Sequence, residues 1–153
     1  MRKHLNSIAA LCLAVLLLAC GGNQTHVYNV LDYGAKGDGV TDDAVAIQKA
    51  IDACTESGGG QVLFPTGYTF MSGPVELKSN VDYHLQVNSR WLANPDESIY
   101  HLSAFRANEG EGMMWLYAQN AQNISITGMG TIDGNGVAFM GQELDDSYEL
   151  KPV

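Results

Sequence analysis

Asp32-Tyr33-Gly34-Ala35-Lys36-Gly37-Asp38-Gly39-Val40-Thr41-Asp42-Asp43, followed by Ala44 to Gly60, decides how this chain folds. The run from Tyr33 to Gly39 is punctuation, rich in residues that tolerate positive φ. Thr41 or Asp42 then reads as an N-cap, with two carboxylates at the positive end of a helix dipole. Apolar residues at 44, 47, 50, 51 and 54 form one stripe at helical period, opposite Gln48, Lys49, Asp52 and Glu56. Gly58-Gly59-Gly60 stops that helix, which the pattern places between about Asp42 and Ser57.

Beyond Gly60 the period falls to two. Val62-Leu63-Phe64-Pro65, Tyr68-Thr69-Phe70, Val75-Glu76-Leu77, Val81 to Leu85, Met114 to Ala118 and Ile124-Ser125-Ile126 read as short strands between Gly, Asn and Ser turns. Upstream, Val27 to Val30 reads as another. Strands this short, with no helices between them, exclude an alternating βαβ sheet. Lys78-Ser79-Asn80-Val81-Asp82 and Ala121-Gln122-Asn123-Ile124-Ser125 share a polar–Asn–aliphatic–polar pattern. Their separation reads as two turns of a coil of about twenty-odd residues, within the range of solenoids. An Asn at each corner would let the amides stack along the axis.

The ends bound the destination. Arg2 and Lys3 precede an apolar stretch, Ile8 to Ala19, too short to span a bilayer. Leu17-Leu18-Ala19-Cys20 resembles a bacterial lipobox, which implies a signal at 1–19, lipid on Cys20 and a flexible tether at 20–26. The domain proper would be 27–153. The expected location is therefore a membrane surface, and Gly at position 21 favours the outer membrane or cell surface. An ordinary secretory signal with a chance Cys is the plainer alternative. Only Cys54 would remain as a thiol, so no disulfide framework is possible. Its place on the apolar stripe makes it a packing residue.

The chain's formal net charge is −9. The leader holds two of the eight bases and none of the seventeen acids, leaving −11 for the remainder. That argues against nucleic acid and against a polybasic membrane patch. Oligomeric state is not encoded in any pattern here.

From Asn29 to Asp43 and Ala46 to Asp52, the sequence resembles the N-terminal cap of the pectin-lyase-like superfamily. Gly59 to Pro65, Gly73 to Val81, and Asn123-Ile124-Ser125-Ile126-Thr127-Gly128-Met129-Gly130-Thr131-Ile132-Asp133-Gly134-Asn135-Gly136 are similar to polygalacturonases, glycoside hydrolase family 28. The resemblance implies an all-β solenoid, a right-handed single-stranded parallel β-helix with an N-terminal amphipathic helix as lid. It also implies inverting hydrolysis of galacturonosyl linkages in pectic polysaccharide, with carboxylic acids and without metal or organic cofactor. The family's Asn-Thr-Asp, Asp-Asp, Gly-His-Gly and Arg-Ile-Lys segments are not found here, since neither His84 nor His101 is flanked by glycine. No residue is therefore assigned as catalytic, and the chain is expected to be an inactive, truncated piece that folds poorly alone. The alternative is a non-catalytic surface module, a glycan-binding lipoprotein or adhesin- or tailspike-like stem. A calcium-dependent pectate lyase is a third reading, without an acidic cluster to support it.

Individual candidates divide the same way. Asp133 precedes Gly134 and reads first as a corner residue. Asp145, Asp146 and Glu149 form an acidic patch expected to be a solvated loop. Trp91, Trp115 and Tyr117 could stack on sugar rings, but interior packing is favoured. Lys78, Arg90 and Arg106 could pair with carboxylated sugars without forming a cluster. Asn123 opens a glycosylation sequon of little meaning in a bacterial lipoprotein, and no set has metal-ligand spacing.

Overall fold

A computed structural model describes residues 25–101, 114–144 and 147–150, with no side chains characterised beyond Phe139. The elements are β1 (Val27–Asn29), β2 (Asp38–Asp42), α1 (Ala44–Glu56), β3 (Gly60–Phe64), β4 (Thr69–Ser72), β5 (Val75–Glu76) and β6 (Val81–Leu85). After them come β7 (Arg90–Ala93), β8 (Leu116–Tyr117), β9 (Ser125–Gly128), β10 (Thr131–Asp133), β11 (Met140–Leu144) and β12 (Ser147–Leu150). They form a right-handed parallel β-helix. One face is the sheet β1-β3-β6-β9, the second is β2-β4-β7-β10 and the third is β5-β8. Every pairing in these three faces is parallel.

The helix lies as its stripe requires. Ile47, Ala50, Ile51 and Cys54 are fully buried, and Ala46 joins them. Val30, Val62 and Val81 lie in the same apolar cluster. The helix seals the apolar interior of the first coil, which would otherwise face water. Burial pushes the Cys54 thiol up to about 11, so it packs and does not react. Gly59 could not be otherwise. At φ 112°, an added Cβ would meet the Asn80 carbonyl oxygen at 2.4 Å.

The interior is aromatic. Phe64 stacks on Trp91 with centroids 4.6 Å apart, Tyr83 lies 6.3 Å from Trp91 with its ring tilted by 27°, and Trp115 meets it edge-on at 5.9 Å. Buried Ser72 supplies the polar partner both indoles need. Its Oγ accepts from Trp91 Nε1 at 2.8 Å and from Trp115 Nε1 at 3.1 Å. The corner ladder also forms. Asn80 and Asn123 both sit at positive φ (62° and 56°), and Asn123 Nδ2 donates to Asn80 Oδ1 at 2.9 Å.

Several expectations need correction. The first strand stops at Asn29, because that side chain accepts from Leu31 N and turns the chain into a 3-10 segment, Val30–Tyr33. The Gly-rich run is not all turn, since Asp38–Asp42 pairs with β4. The helix is capped in position by Asp43, not by Thr41 or Asp42. The Asp43 carboxylate turns back to take Lys36 N at 2.7 Å and Gly37 N at 2.9 Å, leaving Asp42 Oδ1 to receive Ala44 N. The chain from Arg90 to Ala93, read as no element, is the strand β7. Glu149 lies in β12, paired antiparallel with β11, and not in a loop.

The period also differs. Gln61 pairs with Asp82 and Thr69 with Arg90, a coil of 21 residues. Asp82 then pairs with Ser125, so 43 residues make one coil, not two. The excess enters after β7 and before β8, which pairs directly with β5. A 3-10 turn, Glu97–Ile99, and Tyr100 belong to this insertion.

Candidate functional site

The outward row of the first face carries the densest polar network described. Gln61, Asp82 and Ser125 share one register, as do Leu63, His84 and Thr127. Alternation along β6 then places Asp82 and His84 on the same side, with Tyr83 and Leu85 buried inside. Asp82 Oδ2 accepts from Gln61 Nε2 at 2.9 Å, and Oδ1 accepts from Ser125 Oγ at 2.9 Å. Thr127 Oγ1 lies 2.9 and 3.0 Å from the two oxygens, and 2.8 Å from His84 Nδ1. Partial burial pushes Asp82 up, but the bonds from Gln61, Thr127 and Ser125, with His84 nearby, outweigh it and hold the carboxyl below its ordinary value.

This gives a pH prediction with a definite sign. A carboxyl lowered in the folded state contributes stability that is present above its ordinary value of 3.8 and lost as pH falls through that range. Asp82→Asn is therefore expected to reduce the drop in urea midpoint between pH 6 and pH 3. An unchanged drop would show that the network does not discriminate between the two protonation states.

Other carboxyls are engaged in the same way. Asp133 ends β10, forms an ion pair with Arg90 and accepts from Asn135 N at 2.7 Å. Arg90 and that backbone N–H lower it. Asp52 pairs with Lys78 at 2.7 Å and accepts from Gln48, and these bonds lower it against the upward push of burial. Val40 and Thr41 hold Asp38 at about 2, and Ser98 lowers Asp96. A general acid working near neutral pH needs the opposite shift. Asp133 is a bonded corner carboxylate in an unsuitable state for proton donation.

The remaining candidates disperse. Trp91 is inside the coil, and half-buried Trp115 bonds into the interior through Ser72. Tyr117 is half-buried on the third face, where burial raises its hydroxyl, with Glu76 beside it. Lys78 is taken by Asp52 of α1, and Arg90 by Asp133 on its own second face. Asn123 is spent on the corner ladder. Cys20, Arg106, Asp145 and Asp146 lie outside the described residues. Among the described residues, no three His, Cys, Asp or Glu side chains are grouped to hold a metal ion, and no helix is long and apolar enough to cross a membrane. The Asp82–Thr127–His84 network was missed by sequence reasoning. Its signal was present, because 80 to 123, 82 to 125 and 84 to 127 are all the same 43-residue step.

Residues 27–85 match the family described as rhamnogalacturonase A/epimerase, pectate lyase-like. The chain is 38% identical over 115 residues to plasmin and fibronectin-binding protein A of Streptococcus pneumoniae, covering 71% of this chain and 15% of that protein. It is 52% identical over 116 residues to mannuronan C5-epimerase AlgE1 of Azotobacter vinelandii, covering 71% of this chain and 8% of that one. The Yersinia enterocolitica family 28 exopolygalacturonase superposes with a TM-score of 0.63 at 31% identity, over 80% of this chain and 22% of the enzyme. The chain thus spans less than a quarter of each of these three proteins.

Proposed function

We infer, from a chain that belongs to the pectin-lyase-like superfamily and is polygalacturonase-like in fold, that these coils serve an exported protein acting on polyuronates. Pectic galacturonan is the favoured substrate. The observation that carries this reading is the in-register stack of coils behind a helical lid, resembling enzymes named for galacturonan and mannuronan chemistry. No described residue is assigned to the acid–base chemistry: the shifted carboxyls all move toward ionisation, which suits a base but not the general acid that inversion also needs. The part of the described residues is to start the helix and set its register.

The test is direct. The 153-residue chain is expected to release no reducing ends and no unsaturated products from polygalacturonate. Turnover by protein free of contaminating enzyme would overturn this, and Asp133, Asp145 and Asp146 would be the first positions to mutate. A second reading, a non-catalytic surface module, is favoured by the 38% identity to the plasmin- and fibronectin-binding protein. Saturable binding to immobilised fibronectin, with no binding to oligouronates, would replace the first reading with the second.

Either role requires export. Cys20 is proposed as a lipidated anchor that holds the protein at the outer membrane or cell surface. Cys20→Ser should move the protein from the membrane fraction to the soluble fraction. A variant that remains membrane-bound would refute the lipobox.

A further inference from the structure

We propose that the groove beside His84, on the outer corner between the first and second faces, binds a neutral pyranose ring. The inference rests on the glycan reading above and adds the charge state of the sugar. The groove encloses about 390 Å³ and is lined by Thr66, His84, Gln86, Val87, Gly128 and Met129. Its apolar part is pushed outward by the backbone. Gly128 turns at φ 98°, where an added Cβ would lie 2.0 Å from the Leu85 carbonyl oxygen. The following N–H groups, of Met129 and Gly130, both donate to that oxygen at 2.9 and 3.0 Å. This tight turn leaves Met129 78% exposed, near Val87 at 48%.

The polar part is fixed in direction. The ionised Asp82 carboxylate can only accept, so the single hydroxyl proton of Thr127 is directed to it. His84 Nδ1 must then carry the proton it shares with Thr127. In its uncharged form His84 then presents Nε2 as an acceptor. Gln86 is the complement. Its Oε1 receives Thr66 N at 3.0 Å, while its amide NH2 makes no bond to a described residue. One acceptor and one donor above two exposed apolar side chains suit adjacent ring hydroxyls and a C–H ring face.

Charge selects among sugars. No formally charged side chain lines the groove. Asp82 lies two residues from His84 on the same side of β6, and the whole chain carries −9. With His84 uncharged, a free uronate would meet repulsion without a counter-ion, whereas its methyl ester or an uncharged hexose would not.

NMR titration of the full chain separates these cases. Methyl-esterified trigalacturonate is expected to shift the Met129 methyl resonance, and the free acid at equal concentration is not. His84→Ala and Thr127→Val should each weaken the ester about fivefold, the scale of one neutral hydrogen bond. Thr127→Val should also change the His84 ring-nitrogen shifts, which report the tautomer. Met129→Glu, at an exposed position without a folding role, should abolish binding. Equal response to ester and acid would overturn the proposal. If either sugar shifts only residues elsewhere, the groove assignment falls and the glycan reading survives. If neither shifts anything, the groove assignment falls, and the glycan reading, which places its chemistry outside the described residues, is decided by the turnover and fibronectin assays above.

Discussion

Replacing Ile51 by Asp is expected to leave no cooperatively folded protein. Ile51 is fully buried in the stripe that closes the first coil. A carboxylate there has no described basic side chain in its cluster to pair with, because the surroundings are Ile47, Ala50, Cys54 and the inward residues of the coil. Burial of an unpaired charge, added to loss of the isoleucine, belongs to the class of substitutions that cost more than about 4 kcal/mol. That approaches the whole stability of a small domain, about 5–15 kcal/mol. The internal control is Val45→Asp on the same helix. Val45 is 68% exposed, so its substitution should stay within about 0.5 kcal/mol. Far-UV circular dichroism and urea melts read both against the unsubstituted chain, whose own melt tests the expectation that it folds poorly alone. A steep transition retained by Ile51→Asp would mean that the helix does not seal the coil.

Trp91→Ala should be the next most damaging change, at about 3–5 kcal/mol. Trp91 is fully buried, meets the rings of Phe64, Tyr83 and Trp115 and donates to Ser72. The deletion leaves a void among rigid rings and removes one of the two donors to the Ser72 hydroxyl. Trp91→Phe should cost less, because it keeps most of the ring volume and Trp115 still satisfies Ser72. Urea midpoints decide. Equal losses for the two variants would show that the hydrogen bond, rather than the ring packing, dominates this part of the core.

The contrast between Ile51 and Asp43 shows what sequence could disclose. A helical stripe is local, so Ile47, Ala50, Ile51 and Cys54 could be placed inside before any partner was known. Asp43 could not be read, because its role depends on Lys36 and Gly37 folding back onto it. Strands such as Val81–Leu85 were visible through alternation, but β2 was hidden in a Gly- and Asp-rich run that pairs only through a distant strand. The Asn80–Asn123 step was legible as a repeat. Its length was misread, since a 21-residue coil and a 43-residue coil with an insertion keep the same corner chemistry. The candidate groove was harder still. His84 and Met129 are ordinary residues until parallel pairing stacks β9 on β6.

The unequal coils have a consequence for how such a protein diversifies. More residues separate β7 from β8 than separate β4 from β5, yet β8 still pairs with β5, Asp82 still meets Ser125 and Arg90 still meets Thr131. Doubling the length of a flexible excursion adds only about 0.6 kcal/mol of closure entropy. The stack therefore behaves like a ring binder, in which a page can be lengthened at its free margin without moving the holes. New binding chemistry can be tried in the margin while the spine continues to fold by the same pairing rules.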